Sequence, residues 1–83
     1  MHETMIAESL IAAILEEAKK QNAKPVSAKI SCGTLSVVND ETLCFAFEVA
    51  AKGTLCEGLR LEIEHKAKPD APLLLEEIEF ETD

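Results

Sequence analysis

Between Thr4 and Asn22 the apolar residues Ile6, Leu10, Ile11, Ile14, Leu15 and Ala18 recur at three- and four-residue steps. That spacing winds them into one broad stripe of an α-helix and leaves Glu8, Glu16, Lys19 and Lys20 on the other side. A stripe this wide has to be covered by another part of the chain, and that requirement restricts the fold more than any other feature. Thr4 is the expected N-cap, and Glu16 and Lys20 form an i,i+4 pair in the favourable order. Both lysines fall in the last turn, where the helix dipole favours cations, and Pro25 forbids continuation.

The covering surface is legible downstream. From Pro25 to Cys32 the chain alternates, with Val26, Ala28, Ile30 and Cys32 to one side and Ser27, Lys29 and Ser31 to the other. This predicts a half-buried strand, broken by Gly33, with Thr34 to Val38 as a connector or a short extension. Asn39 or Asp40 caps a second helix that runs to about Ala51 or Lys52, with Gly53 placed as its C′ residue. Leu43, Ala46, Phe47 and Ala50 make its apolar face. Phe45 and Val49 lie nearly opposite, expected either under a loop or the other helix, or on a partner or homodimer surface.

Leu59, Leu61 and Ile63 alternate with Arg60, Glu62 and Glu64, predicting a second strand that ends near His65 and Lys66. Lys68 to Pro72 is a turn by composition. Leu73 to Glu81 reads as a third strand whose two apolar phases are reconciled by a β-bulge at Glu76. The expected fold is α+β, a two-layer α/β sandwich of order α-β-α-β-β. Both helices pack on one face of a three-stranded sheet, with the last two strands as an antiparallel hairpin.

With 83 residues the chain is read as a single domain, 1–83. A net charge of −8 argues against nucleic acid and anionic membrane surfaces as partners, because both need a basic face. No run approaches a membrane span, and Glu3 and Glu8 break any signal-peptide pattern, so a cytoplasmic location is expected. Cys32, Cys44 and Cys56 are three in number with no CxxC pair, which predicts reduced thiols of unassigned role. No credible catalytic arrangement is readable from two histidines, so the chain is not expected to be an enzyme. His65 is expected as an exposed polar residue, and Glu62, Glu64, Glu77 and Glu79 as a solvated sheet face.

The concentrated chemistry lies at Met1-His2-Glu3. A free α-amine, an imidazole one residue on and a neighbouring carboxylate stand within a few ångströms of one another. Two backbone amide nitrogens lie between them and can coordinate once a metal displaces their protons. Amine, amide nitrogens and imidazole make a square-planar, nitrogen-rich set suited to Ni(II) or Cu(II) rather than zinc. His2 is bulky, so Met1 is expected to be retained.

Met1-His2-Glu3, Ile6-Ala7-Glu8-Ser9-Leu10, Gly33-Thr34-Leu35-Ser36 and Leu43-Cys44-Phe45-Ala46-Phe47-Glu48-Val49 together resemble the nickel-insertion accessory proteins of hydrogenase and urease maturation, the HypA/HybF family. Ala51-Lys52-Gly53-Thr54, Glu57-Gly58 and Leu61-Glu62-Ile63-Glu64 extend the resemblance over residues 1–66, with 73–81 as the closing strand. The resemblance implies a nickel metallochaperone for [NiFe]-hydrogenase that binds Ni(II) through Met1, His2 and Glu3. It also implies a nickel-binding GTPase and the hydrogenase large subunit as partners. The choice of nickel over copper comes from the resemblance alone. The family inserts a zinc domain with two CxxC pairs before the closing strand, whereas here 67–72 is a short turn without cysteine, so no zinc is expected. The alternative is a metal-independent interaction module that docks the GTPase or the hydrogenase subunit without delivering nickel.

Overall fold

Helix α1 spans Glu3–Gln21, strand β1 Pro25–Gly33, helix α2 Asp40–Ala51, strand β2 Arg60–Lys66 and strand β3 Leu74–Phe80. The computed structural model describes residues 3–33 and 39–81. Met1, His2 and the expected connector at 34–38 lie outside the described residues. The order α-β-α-β-β and the α+β class are as expected.

α1 buries Ile6, Leu10, Ile11, Ile14 and Ala18 of the predicted stripe and Ala7 besides, while Leu15 is half-buried against the core. It begins at Glu3 rather than after a Thr4 cap. Asn22 ends it at φ 51°, with Asn22 N–H donating to Lys19 O and Ala23 N–H to Ala18 O. This is a left-handed cap in which a short polar side chain stands where glycine is usual. Asn39 caps α2 by accepting from the Thr42 amide at 3.0 Å. Beyond Ala51 the chain reverses at Gly53 (φ 80°), and the Thr54 hydroxyl donates to Ala51 O at 2.7 Å.

The sheet order is β2-β1-β3, with β2 parallel and β3 antiparallel to β1. The expected β2–β3 hairpin is therefore wrong, since both strands pair with β1 instead. β1, α2 and β2 form a crossover unit in which the helix carries the chain back to the start of a parallel neighbour. β3 takes the far edge of β1 and leaves the outer edge of β2 without a strand among the described residues. The connector from 67 to 73 is long enough to cross the end of β1, two strand spacings or about 10 Å. It crosses at Gly33, whose amide donates to Ala71 O at 3.1 Å. A Cβ at Gly33 would stand 2.6 Å from both Lys68 O and Pro69 O and 2.8 Å from Ala71 N.

Register sorts the two faces. Ala28 lies between Leu61 and Ile78, and Ile30 between Ile63 and Leu75, all facing the helices. Phe47 and Leu43 of α2 complete this core with the α1 stripe. The partners of β1 shift between Lys29↔Glu77 and Ile30↔Leu75, so Glu76 is the extra residue and the predicted bulge is present. A second irregularity, between Pro25↔Phe80 and Ser27↔Glu79, has no counterpart in the sequence reading. It turns Val26 outward to 41% exposure, which corrects its expected place beside Ala28 and Ile30, while Pro25 is buried.

The opposite face pairs Lys29 with Glu62 and Glu77, and Ser27 with Arg60 and Glu79. The Ser27 hydroxyl donates to Glu79 Oε1 at 2.6 Å. Lys29 Nζ meets Glu64 Oε1 at 3.1 Å, and this contact holds the Glu64 carboxyl below its ordinary range and the Lys29 ammonium above its own. A depressed carboxylate adds stability above its unfolded pKa of about 4.3 and loses it as pH falls through the folded value. A raised ammonium behaves oppositely: its contribution is present below about pH 10.4 and lost as pH rises through the folded value. Lys29→Met is expected to raise the Glu64 midpoint in an NMR pH titration. It is also expected to flatten the acid limb of the stability profile below about pH 4.3. An unmoved midpoint would show that the ion pair does not form in solution.

Candidate functional site

Of the residues singled out for metal, the structure describes only Glu3, which opens α1 half-buried. The first four amides of a helix have no intrahelical acceptor, so the Glu3 N–H is not committed to the helix. The positive end of the helix dipole disfavours a bare cation there. Two deprotonated amide nitrogens would bring two negative charges and leave a filled Ni(II) site close to neutral. Glu3 therefore stands where an amino-terminal chelate could include its backbone nitrogen.

A second constellation has no signature in the sequence. Cys32 and His65 are direct partners across the parallel β1–β2 ladder. Cys32 Sγ lies 3.5 Å from His65 Nδ1, and His65 Nε2 lies 2.8 Å from Asp40 Oδ2 at the start of α2. In the neutral ring whose Nε2–H donates to this carboxylate, Nδ1 presents its lone pair toward the thiol. His65 is exposed, as expected, but tethered at both ring nitrogens. Cys32 is 1% exposed. The sequence reading found no credible catalytic arrangement and did not foresee this contact, in which the sulfur is buried. Three residues from three elements carry no sequence signal until the ladder that joins two of them is known.

The remaining thiols differ. Burial pushes both the Cys44 and Cys56 thiols up; the charge of Asp40 adds to the effect at Cys44, and a Thr54 hydrogen bond opposes it at Cys56. Both line a groove of about 390 Å³ with Phe47, Glu48 and Leu61. On the outer side of α2, Phe45 is 67% and Val49 50% exposed, so nothing among the described residues covers them. No helix among the described residues is long and apolar enough to cross a membrane.

A family model described as hydrogenase/urease nickel incorporation, metallochaperone, hypA, matches residues 1–69. The hydrogenase maturation factor HypA of Archaeoglobus fulgidus is 45% identical over 64 residues, covering 76% of this chain and 58% of that protein. The protein of the same name from Methanocaldococcus jannaschii is 40% identical over 70 residues, covering 77% and 56%. The chain thus spans a little over half the length of these relatives. The solution structure of the Ni metallochaperone HypA from Helicobacter pylori superposes with a TM-score of 0.72 at 21% identity, covering 99% of this chain and 95% of that one. At that identity the likeness speaks for the fold. The match over residues 1–69, taking in the terminus, both helices, β1 and β2, shows that the chain belongs to the hydrogenase/urease nickel-incorporation (HypA) family.

Proposed function

We propose that this chain is a nickel carrier of [NiFe]-hydrogenase maturation that holds Ni(II) at its amino end through the Met1 amine, the His2 amide and imidazole, and Glu3. The observation that supports this reading is that the family match takes in residues 1–3, with α1 opening at Glu3, the last of the chelating residues. Nickel is the substrate, bound to be handed on. A nickel-binding GTPase and the hydrogenase large subunit are the partners this reading implies, and the role is that of a carrier, not an enzyme. The reading places the protein in the cytoplasm, and its chelate draws on Met1, His2 and Glu3 alone, residues 67–72 carrying no cysteine.

The test uses reduced protein whose first residue is Met1. Ni(II) titration is expected to give the d–d band of square-planar nickel, tightening from about pH 6 to 8 as amide and imidazole protons are displaced. His2→Ala abolishes the band, as does one glycine placed before Met1, because the amine then leaves the chelate ring. A spectrum unchanged in His2→Ala would refute the site. The exposure of Phe45 and Val49 favours a second reading, a docking or homodimer surface that works without metal. Partner capture indifferent to nickel and to His2→Ala, but lost in Phe45→Ser, would support it.

A further inference from the structure

β3 is an outer strand, paired with β1 on one side and with no strand on the other among the described residues. Its outer row of backbone N–H and C=O groups is a template for one more strand. Beside that row lies an open groove of about 490 Å³, with α1 as its other wall. On the β3 side it is lined by Leu75, Ile78 and Phe80, all half-buried. The bulge at Glu76 is what brings Leu75 and Ile78 onto one face. Those two also pack against the core, whereas Phe80 stands outside it. The groove therefore keeps apolar surface that the helices do not cover.

Charge decides what kind of strand fits. Glu16 and Glu17 on the α1 wall and Glu76 and Glu77 on the β3 wall face a single ammonium, Lys20. The β3 edge of a second copy would bring the same carboxylates against these and be repelled. A segment carrying lysine or arginine between apolar residues is attracted instead. The β2 margin is a poorer match, because Arg60 and Lys66 there balance Glu62 and Glu64.

We propose that β3 and α1 form a docking groove for an extended, basic segment of a partner protein, which joins the sheet beside β3 as a further strand. Backbone hydrogen bonds along β3 hold it, and its alternate side chains give specificity. Side chains on an added strand point alternately to the two faces of the sheet. Every second residue is therefore apolar, toward Leu75, Ile78 and Phe80. The residues between are basic, on the face where Glu77 and Glu79 stand beside Lys29 and Ser27 of β1. A docked helix would leave the β3 backbone row unused.

The probe is an acetylated, amidated heptapeptide alternating arginine and valine, titrated into the full chain and read by amide NMR and calorimetry. Saturable binding is expected, with shifts in β3 and the facing side of α1 and with Hα–Hα contacts between peptide and β3. Glu17→Lys combined with Glu76→Lys, one carboxylate from each wall, weakens it on the order of tenfold. Phe80→Ala does so by roughly tenfold as well. Glu41→Lys, a charge reversal off the groove, changes affinity by less than about twofold. The corresponding glutamate–valine peptide does not bind. No binding, equal binding of the acidic peptide, a loss in Glu41→Lys as large as in the groove variant, or contacts on β2 in place of β3 would overturn the proposal. So would a dimer at neutral pH whose β3 amides are protected without peptide, since a second copy would then own the edge. If Phe80→Ala does not fold by circular dichroism, the surface pair Glu17→Lys and Glu76→Lys decides alone. Nickel enters neither the probe nor the readout, so this test and that of the chelate fail separately.

Discussion

Gly33→Ala is expected to destabilise the protein by about 3 kcal/mol, the upper part of the range for forcing a methyl into filled space. In a domain of this size that is a fall in Tm of roughly 15 °C, read by thermal denaturation. The added Cβ would meet two carbonyl oxygens at 2.6 Å and an amide nitrogen at 2.8 Å, all backbone atoms of the 68–71 crossing. No side chain can swing aside, so the connector itself must lift, which strains the Gly33 N–H to Ala71 O bond. Gly53→Ala is the contrasting case. Gly53 has φ 80°, and a methyl added there would have no neighbour within 4 Å, so only the left-handed backbone penalty of about 1–2 kcal/mol applies. Equal losses at the two positions would mean that the crossing does not press on β1.

Ile30→Ala is expected to cost about 4 kcal/mol, measured by urea unfolding. Ile30 is 0% exposed on the central strand, between Ile63 and Leu75 and beneath the helices. Neighbours on both strands and on the helices hold the walls apart, so the site collapses poorly and the cavity term adds to the lost transfer free energy. Val26→Ala, four residues earlier on the same strand, should stay within about 0.5 kcal/mol because Val26 is turned outward. A large loss at Val26 would mean that β1 alternates without the irregularity near Pro25.

These two strand positions mark the limit of what the sequence discloses. The helical stripe from Ile6 to Ala18, the Asn39 cap and the Gly53 reversal follow from local rules, and the structure has them as read. The bulge at Glu76 is legible because Leu75 and Ile78 cannot share a face without an extra residue between them. Nothing comparable flags Val26, since alternation through Val26, Ala28 and Ile30 is flawless on paper. Strand order escapes the sequence because two neighbouring strands joined by a short segment suggest a hairpin. What overrides that expectation is non-local: β3 takes the free edge of β1, across the sheet from β2, rather than the free edge of β2. The Cys32–His65 contact depends on that pairing, so the same gap hides it. The Met1-His2-Glu3 chelate is legible from chemistry because its donors are adjacent in the chain and need no fold to bring them together.

Placing β1 in the middle leaves β2 and β3 as the outer margins of the sheet among the described residues, each with one row of backbone donors and acceptors not used by a neighbouring strand. The β3 margin carries Glu76, Glu77 and Glu79, whereas on β2 Glu62 and Glu64 stand among Arg60 and Lys66. Carboxylates there do for solubility what a covering helix would do elsewhere, because two such rows repel before they can zip together. The carboxylates of β3 therefore guard that edge against the same edge of a second copy, and acid that discharges them is expected to lift the guard on β3 while the mixed-charge edge of β2 changes less.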